Sequence, residues 1–144
     1  MSITVRNLTK LYGEQKAIDD LSFDVKTGEI LGFLGPNGAG KTTTMKIVTC
    51  YMPPTSGVVE VDGLNIFDHS LEVRRKIGYL PEMNPLYHDM NVVDYVHYSG
   101  RLHGLEGKAV SERTREMIHL CGLESVRHKD IGELSKGFRQ RVGL

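Results

Sequence analysis

The sequence predicts an α/β fold with a β-rich first part and a helical second part. Three observations carry this reading. Apolar residues nearly alternate over the first 25 positions, a glycine-rich loop lies between an apolar run and a helix pattern, and helical spacing takes over from about residue 85. A chain of 144 residues suits one domain of ordinary size. Its 40% apolar and 25% charged content is that of a globular protein. There is no internal repeat and no low-complexity segment.

The elements follow in order. Ile3, Val5 and Leu8 mark a first strand, and Leu21, Phe23 and Val25 a second. Lys26-Thr27-Gly28-Glu29 reads as a turn. Ile30-Leu31-Gly32-Phe33-Leu34 is a short apolar run, predicted to be a buried strand. A helix is expected from Lys41 to about residue 50, stopped by Pro53 and Pro54, which cannot continue it. Val58, Val59 and Val61 form a further strand with Asp62-Gly63 as its turn. Ile77-Gly78-Tyr79-Leu80 reads as another, ended by Pro81. Val92, Val93, Val96 and Leu102 then sit at helical spacing. Val110, Met117, Ile118 and Cys121 do the same on a helix over 108–122, with Ser111 and Glu112 near its start. Residues 85–133 thus read as a mostly helical subdomain on an α/β core.

Charge and cysteine usage narrow the function. Lys plus Arg equals Asp plus Glu, so the chain lacks the broad field that nucleic acid or an anionic membrane would select. The small basic clusters Arg74-Arg75-Lys76 and Lys136, Arg139, Arg141 read as solvated faces. Cys50 and Cys121 have neither CxxC spacing nor a nearby His pair, so disulfide and zinc readings are weak, and two free thiols suit a reducing cytoplasm. The six histidines show no metal-ligand spacing. The opening residues lack the apolar core of a signal peptide, and no apolar stretch is long enough for a bilayer. A membrane role would therefore come through a partner.

Gly35-Pro36-Asn37-Gly38-Ala39-Gly40-Lys41-Thr42 matches G-x-x-x-x-G-K-[ST] at every fixed position. Glycines let such a loop curl so that backbone N–H groups face phosphate oxygens. The following helix presents its positive end to the same anion. Lys41 can reach the β- and γ-phosphates, and the Thr42 hydroxyl suits Mg²⁺, which prefers oxygen ligands. Roughly one unrelated chain in two hundred would match the pattern by chance. Here the match also has the strand-before, helix-after setting that the mechanism needs, so it implies nucleotide binding. A phosphate loop by itself leaves kinases, GTPases, DNA motors and transporters open.

Five stretches narrow that field. "LTKLYG", "GFLGPNGAGKTTTMK", "PPTSGVVEVDG", "IGYLPE" and "LSKGFRQR" resemble, in order and spacing, the ATP-binding subunits of ABC transporters across essentially the whole chain. Within that family the chain looks most like exporter-type subunits, particularly gliding-motility-associated ones. The resemblance implies a P-loop ABC-type nucleotide-binding domain, with an ATP-binding core at 1–84, a helical subdomain at 85–133, and the signature loop with its helix start at 134–144.

It also implies roles. Tyr12 would stack on adenine, although by itself it reads as a core or surface tyrosine beside a turn at Gly13. Gly35 through Thr43, including Thr42 and Thr43, would bind ATP, with Mg²⁺ on Thr42 and Glu82. Glu82 stands where the family usually has glutamine, and its carboxylate adds negative charge near the γ-phosphate. Ser135, Lys136 and Gly137 would form the signature loop, which in the family meets the γ-phosphate held by a second ATP-binding subunit. Taken alone, Ser135 reads equally as a helix N-cap. Lys136 and Phe138 depart from a common glycine and a common glutamine.

The family's Walker B Asp-Glu pair and switch histidine have no counterpart here, so no catalytic residue is assigned. That absence implies a fragment of a longer subunit, truncated before the Walker B strand. The expected setting is cytoplasmic, on the inner face of the membrane through a transmembrane permease subunit, with no nucleic acid. Two other readings stay open: a non-catalytic nucleotide-binding fragment, and an ABC ATPase that does not transport.

Overall fold

A computed structural model describes all 144 residues. They form two compact units, Met1–Tyr79 and Leu80–Leu144. The division falls a little before the boundary read from the sequence, and the signature segment belongs to the same unit as the helices before it.

The first unit is built on a four-stranded antiparallel sheet. Its strands are β1 (Ile3–Tyr12), β2 (Gln15–Val25), β3 (Ser56–Val61) and β4 (Leu64–Asn65), in the order β2-β1-β3-β4. Alternation decides which face is inside. Val5 lies opposite Phe23 on one side and Val59 on the other, and Val5 and Leu8 are fully buried. The register slips after Val5, where Asn7 takes a positive φ of 48° and its amide donates to Asp20 Oδ1 at 2.8 Å. The two-residue turn read at Asp62-Gly63 is present, with φ of 50° and 75°, and joins β3 to β4. Helix α1 (Lys41–Val48) places Ile47 and Val48 in this core, and α2 (Ser70–Lys76) adds Val73.

Two expected strands are absent. Residues 30–34 and 77–80 form no regular element and pair with no strand of the sheet. Ile30 is 98% exposed and Leu34 92%, so the first is not buried either. A strand is a pairing rather than a property of a segment, and none of these residues finds a ladder partner. Phe33 alone turns inward, its ring 5.5 Å from that of Phe23 on β2.

The stop of α1 also differs from expectation. It ends at Val48, well before the prolines, because Cys50 adopts φ 59°. Cys50 N–H then donates to Ile47 O at 2.9 Å, and Tyr51 N–H to Lys46 O at 2.8 Å.

The second unit holds α3 (Val92–Leu102), α4 (Gly107–Leu120) and α5 (Lys136–Val142), with single 3₁₀ turns at Glu124–Val126 and Ile131–Glu133. Asn91 caps α3, its side chain accepting from Val93 and Asp94 N–H at 2.8 and 3.3 Å. Both α3 and α4 close with the two-bond arrangement that ends α1, here with Gly104 and Gly122 in the left-handed position. Val92, Leu123, Ile131 and Val142 belong to one core, so α5 packs with the helical part rather than standing apart from it.

Candidate functional site

The glycine-rich loop leads directly into α1. Ala39 N–H donates to Pro36 O at 3.2 Å, closing a tight turn, and Gly38 and Gly40 adopt φ of 85° and 81°. Gly40 is the N-cap residue of α1 and offers no side chain to cap it. The helix's first turn carries no carboxylate either, so its positive end is not neutralised from within. Lys41 spans the loop, with Nζ donating to the carbonyls of Gly35 at 2.6 Å and Pro36 at 2.7 Å. Pro36, Asn37, Gly38, Ala39 and Thr42 are exposed, and Lys41 and Thr43 are half-buried. Thr44, beyond the motif, is buried and donates from Oγ1 to Gly40 O at 3.0 Å, which fixes the first turn.

The sequence explains the glycines through conformational freedom. The structure adds a steric reason at Gly40. A β-carbon there would lie 2.3 Å from Ala17 O and 3.1 Å from Ile18 on β2. No sequence signal marks Ala17 as the wall of the loop, because the contact joins residues distant along the chain.

Tyr12 ends β1 and is 48% exposed. Its hydroxyl donates to Met52 Sδ at 3.3 Å, and Lys10 Nζ stands 5.5 Å from the ring centroid. The ring is therefore a surface platform steadied at its far end. Lys10 lies within the "LTKLYG" stretch without a role read for it, and Met52 lies outside the five stretches.

Glu82 and Ser135, Lys136 and Gly137 belong to the second unit. Glu82 is exposed, and its carboxylate has no ion-pair or hydrogen-bond partner. Ser135 is the N-cap of α5, its Oγ accepting from Phe138 N–H at 3.4 Å. Arg139 donates back to Leu134 O, which holds the turn before the helix. Gly137 has no structural need to be glycine: a β-carbon there meets nothing within 4 Å and its φ is not positive. Phe138 packs on the second core with the Arg141 guanidinium 5.4 Å from its ring centroid, so this departure from the family pattern anchors the helix.

The family model described as ABC transporter matches residues 18–144. The chain belongs to the ABC transporter family. It is 38% identical over 142 residues to the uncharacterized ABC transporter ATP-binding protein YxlF of Bacillus subtilis, covering 99% of this chain and 46% of that protein. It is 37% identical to the bacitracin transport ATP-binding protein BcrA of Bacillus licheniformis, with 99% and 45% covered. The chain thus spans about half the length of these ABC relatives. Among solved structures it is similar to the dimeric post-hydrolysis state of the ATP-binding cassette MJ0796 bound to ADP and Pi. There the TM-score is 0.84 at 27% identity, over 98% of this chain and 66% of that one. An ATP-binding subunit of an ABC transporter gives a TM-score of 0.82 at 28% identity, over 99% and 60%. The ABC nucleotide-binding fold is therefore the fold of this chain. No helix is long and apolar enough to cross a membrane.

Proposed function

We propose that the chain binds ATP with Mg²⁺ on the loop at 35–43, and that in the full-length subunit ATP hydrolysis powers transport through a separate transmembrane permease. The observation that carries this is the loop itself: left-handed Gly38 and Gly40, an α1 N-terminus without an internal counter-charge, and Lys41 reaching across. Phosphate oxygens would be met by backbone N–H groups at the helix start and by the Lys41 ammonium. Tyr12 supplies an exposed ring for adenine. The exposed Thr42 hydroxyl and the unpartnered Glu82 carboxylate are oxygen donors of the kind Mg²⁺ takes, and the ion would offset phosphate charge.

In this reading Ser135, Lys136 and Gly137 serve a second ATP-binding subunit. The support is Gly137, whose missing side chain has no explanation within its own chain. MJ0796 is described as dimeric, which fits. An export role is supported by relatives named for Nod factor export and as a probable multidrug transporter. The subunit would lie on the cytoplasmic side of the membrane, held there by the permease.

A fluorescent ATP analogue titrated with Mg²⁺ tests the binding step. Saturable binding that ATP competes away and Lys41→Ala removes is expected. Binding indifferent to Lys41→Ala would overturn the assignment of the loop.

A further inference from the structure

The second unit contains a cleft of about 300 Å³ between α3, α4 and the segment after α4. Its ionisable lining is entirely basic: two guanidiniums, Arg115 from α4 and Arg127 from the following segment, and two imidazoles, His97 from α3 and His128 beside Arg127. Ser111 adds a hydroxyl and no carboxylate lines the cleft. These groups are mounted on fixed backbone, since Val93 N–H donates to Arg127 O at 3.3 Å and Val92 N–H to Lys129 O at 3.2 Å.

Neither Arg115 nor Arg127 forms an ion pair. Glu112, Glu116 and Glu124 border the two arginines on an adjoining surface. Of these, Glu116 is held by Arg113 and Glu124 by His119, each at 2.7 Å. Arg127 instead donates from Nε to His128 Nε2 at 2.9 Å, one basic side chain against another. The accepting Nε2 is the lone pair of a neutral imidazole, so the positive charge of the cleft rests on the two guanidiniums, which an anion would offset.

A phosphate group suits this arrangement. Its several acceptor oxygens match donors arriving from separate elements, and guanidinium forks favour it. The cleft exceeds what a bare phosphate needs, being on the order of ten waters' share of liquid at about 30 Å³ each. Val93 and Ile118 give it an apolar wall for an attached organic group. We propose that this cleft is a second anion site, which takes the phosphate of an organic phosphate ester on Arg115, Arg127, His97 and His128. A soluble ester and the headgroup of an anionic phospholipid share this chemistry. The site stands independently of nucleotide binding at the loop.

The test uses the chain as it is. Glycerol 3-phosphate is titrated while the histidine ring resonances are followed, and sedimentation is measured with phosphatidylcholine vesicles with and without phosphatidylglycerol. Saturable shifts at His97 and His128, with His69 and His103 still, are expected for a soluble ester. Binding only to the phosphatidylglycerol vesicles, without ester shifts, also supports the site and assigns it to a lipid. In either arm Arg115→Gln with Arg127→Gln should weaken binding about tenfold or more, and the charge-keeping Arg→Lys pair should lose less. No response in both arms, or an unchanged response in the Gln pair, overturns the proposal.

Discussion

The carbonyl oxygen of Ala17 in β2 stands 2.3 Å from where a β-carbon on Gly40 would lie. Loop and sheet meet through a gap that only glycine leaves, and φ 81° at Gly40 adds a second demand. Gly40→Ala should therefore destabilise the fold by about 2–4 kcal/mol, from left-handed strain together with overpacking. Urea unfolding measures that loss. Nucleotide titration of the folded fraction should show weakened binding as well.

Gly57 separates the structural effect from the functional one. It has φ 97°, and a β-carbon there would lie 2.5 Å from Asn7 O across the β1–β3 pair. Gly57→Ala should lose stability on the same scale, about 2–4 kcal/mol. Below its own unfolding temperature it should keep nucleotide affinity, because it touches no part of the loop. Equal losses of affinity in the two variants would mean that general destabilisation, not the loop, sets binding.

Cys50 occupies the left-handed closing position that glycine fills after α3 and α4. Strain of about 1–2 kcal/mol for a side chain there is relieved in Cys50→Gly. Part of that gain is offset by the freer unfolded chain, at about 0.5–1 kcal/mol, and by lost packing of the half-buried thiol. A net gain of up to about 1 kcal/mol is expected in thermal unfolding. Cys50→Ala keeps the β-carbon and should show no gain.

Asp62 gives a pH dependence of known sign. The Ser2 N–H donates to its Oδ1 at 2.7 Å and Lys76 lies 3.5 Å away, and the Ser2 bond first of all holds the carboxyl below its ordinary 3.8. The folded state therefore binds this proton less readily than the unfolded one. The resulting stability is complete above the ordinary value and disappears as pH falls through the folded one. Asp62→Asn keeps the turn and removes the titration. Unfolding temperatures of the two proteins should differ at neutral pH and converge below about pH 4. A constant difference across that range would place the effect elsewhere.

Much of the site was legible because its chemistry is local. The loop from Gly35 to Thr42, its helix and the turn at Asp62-Gly63 each follow from a few adjacent residues, and all are present. What escaped the sequence depends on distant partners. Residues 30–34 have the composition of a buried strand, yet pairing decides, and Ile30 and Leu34 lie open. The wall that Ala17 gives Gly40 leaves no trace in either neighbourhood. Phe138 could be named as a departure from the family pattern, but its anchoring by the second core and Arg141 needed the packed structure. Prolines point to the end of α1 because their effect is categorical, whereas a cysteine at φ 59° carries no compositional mark.

The shared closure of α1, α3 and α4 has a practical side. Each of these helices is closed by the N–H groups of the two residues after its cap, so its length does not depend on the connection beyond them. In the short connection between α3 and α4 these are Gly104 and Leu105, so the junction between Leu105 and the exposed Glu106 is a natural place to open the chain. A fluorescent reporter or affinity handle inserted there should leave both helices at their present lengths, and it would give the second unit a label that leaves the glycine-rich loop untouched.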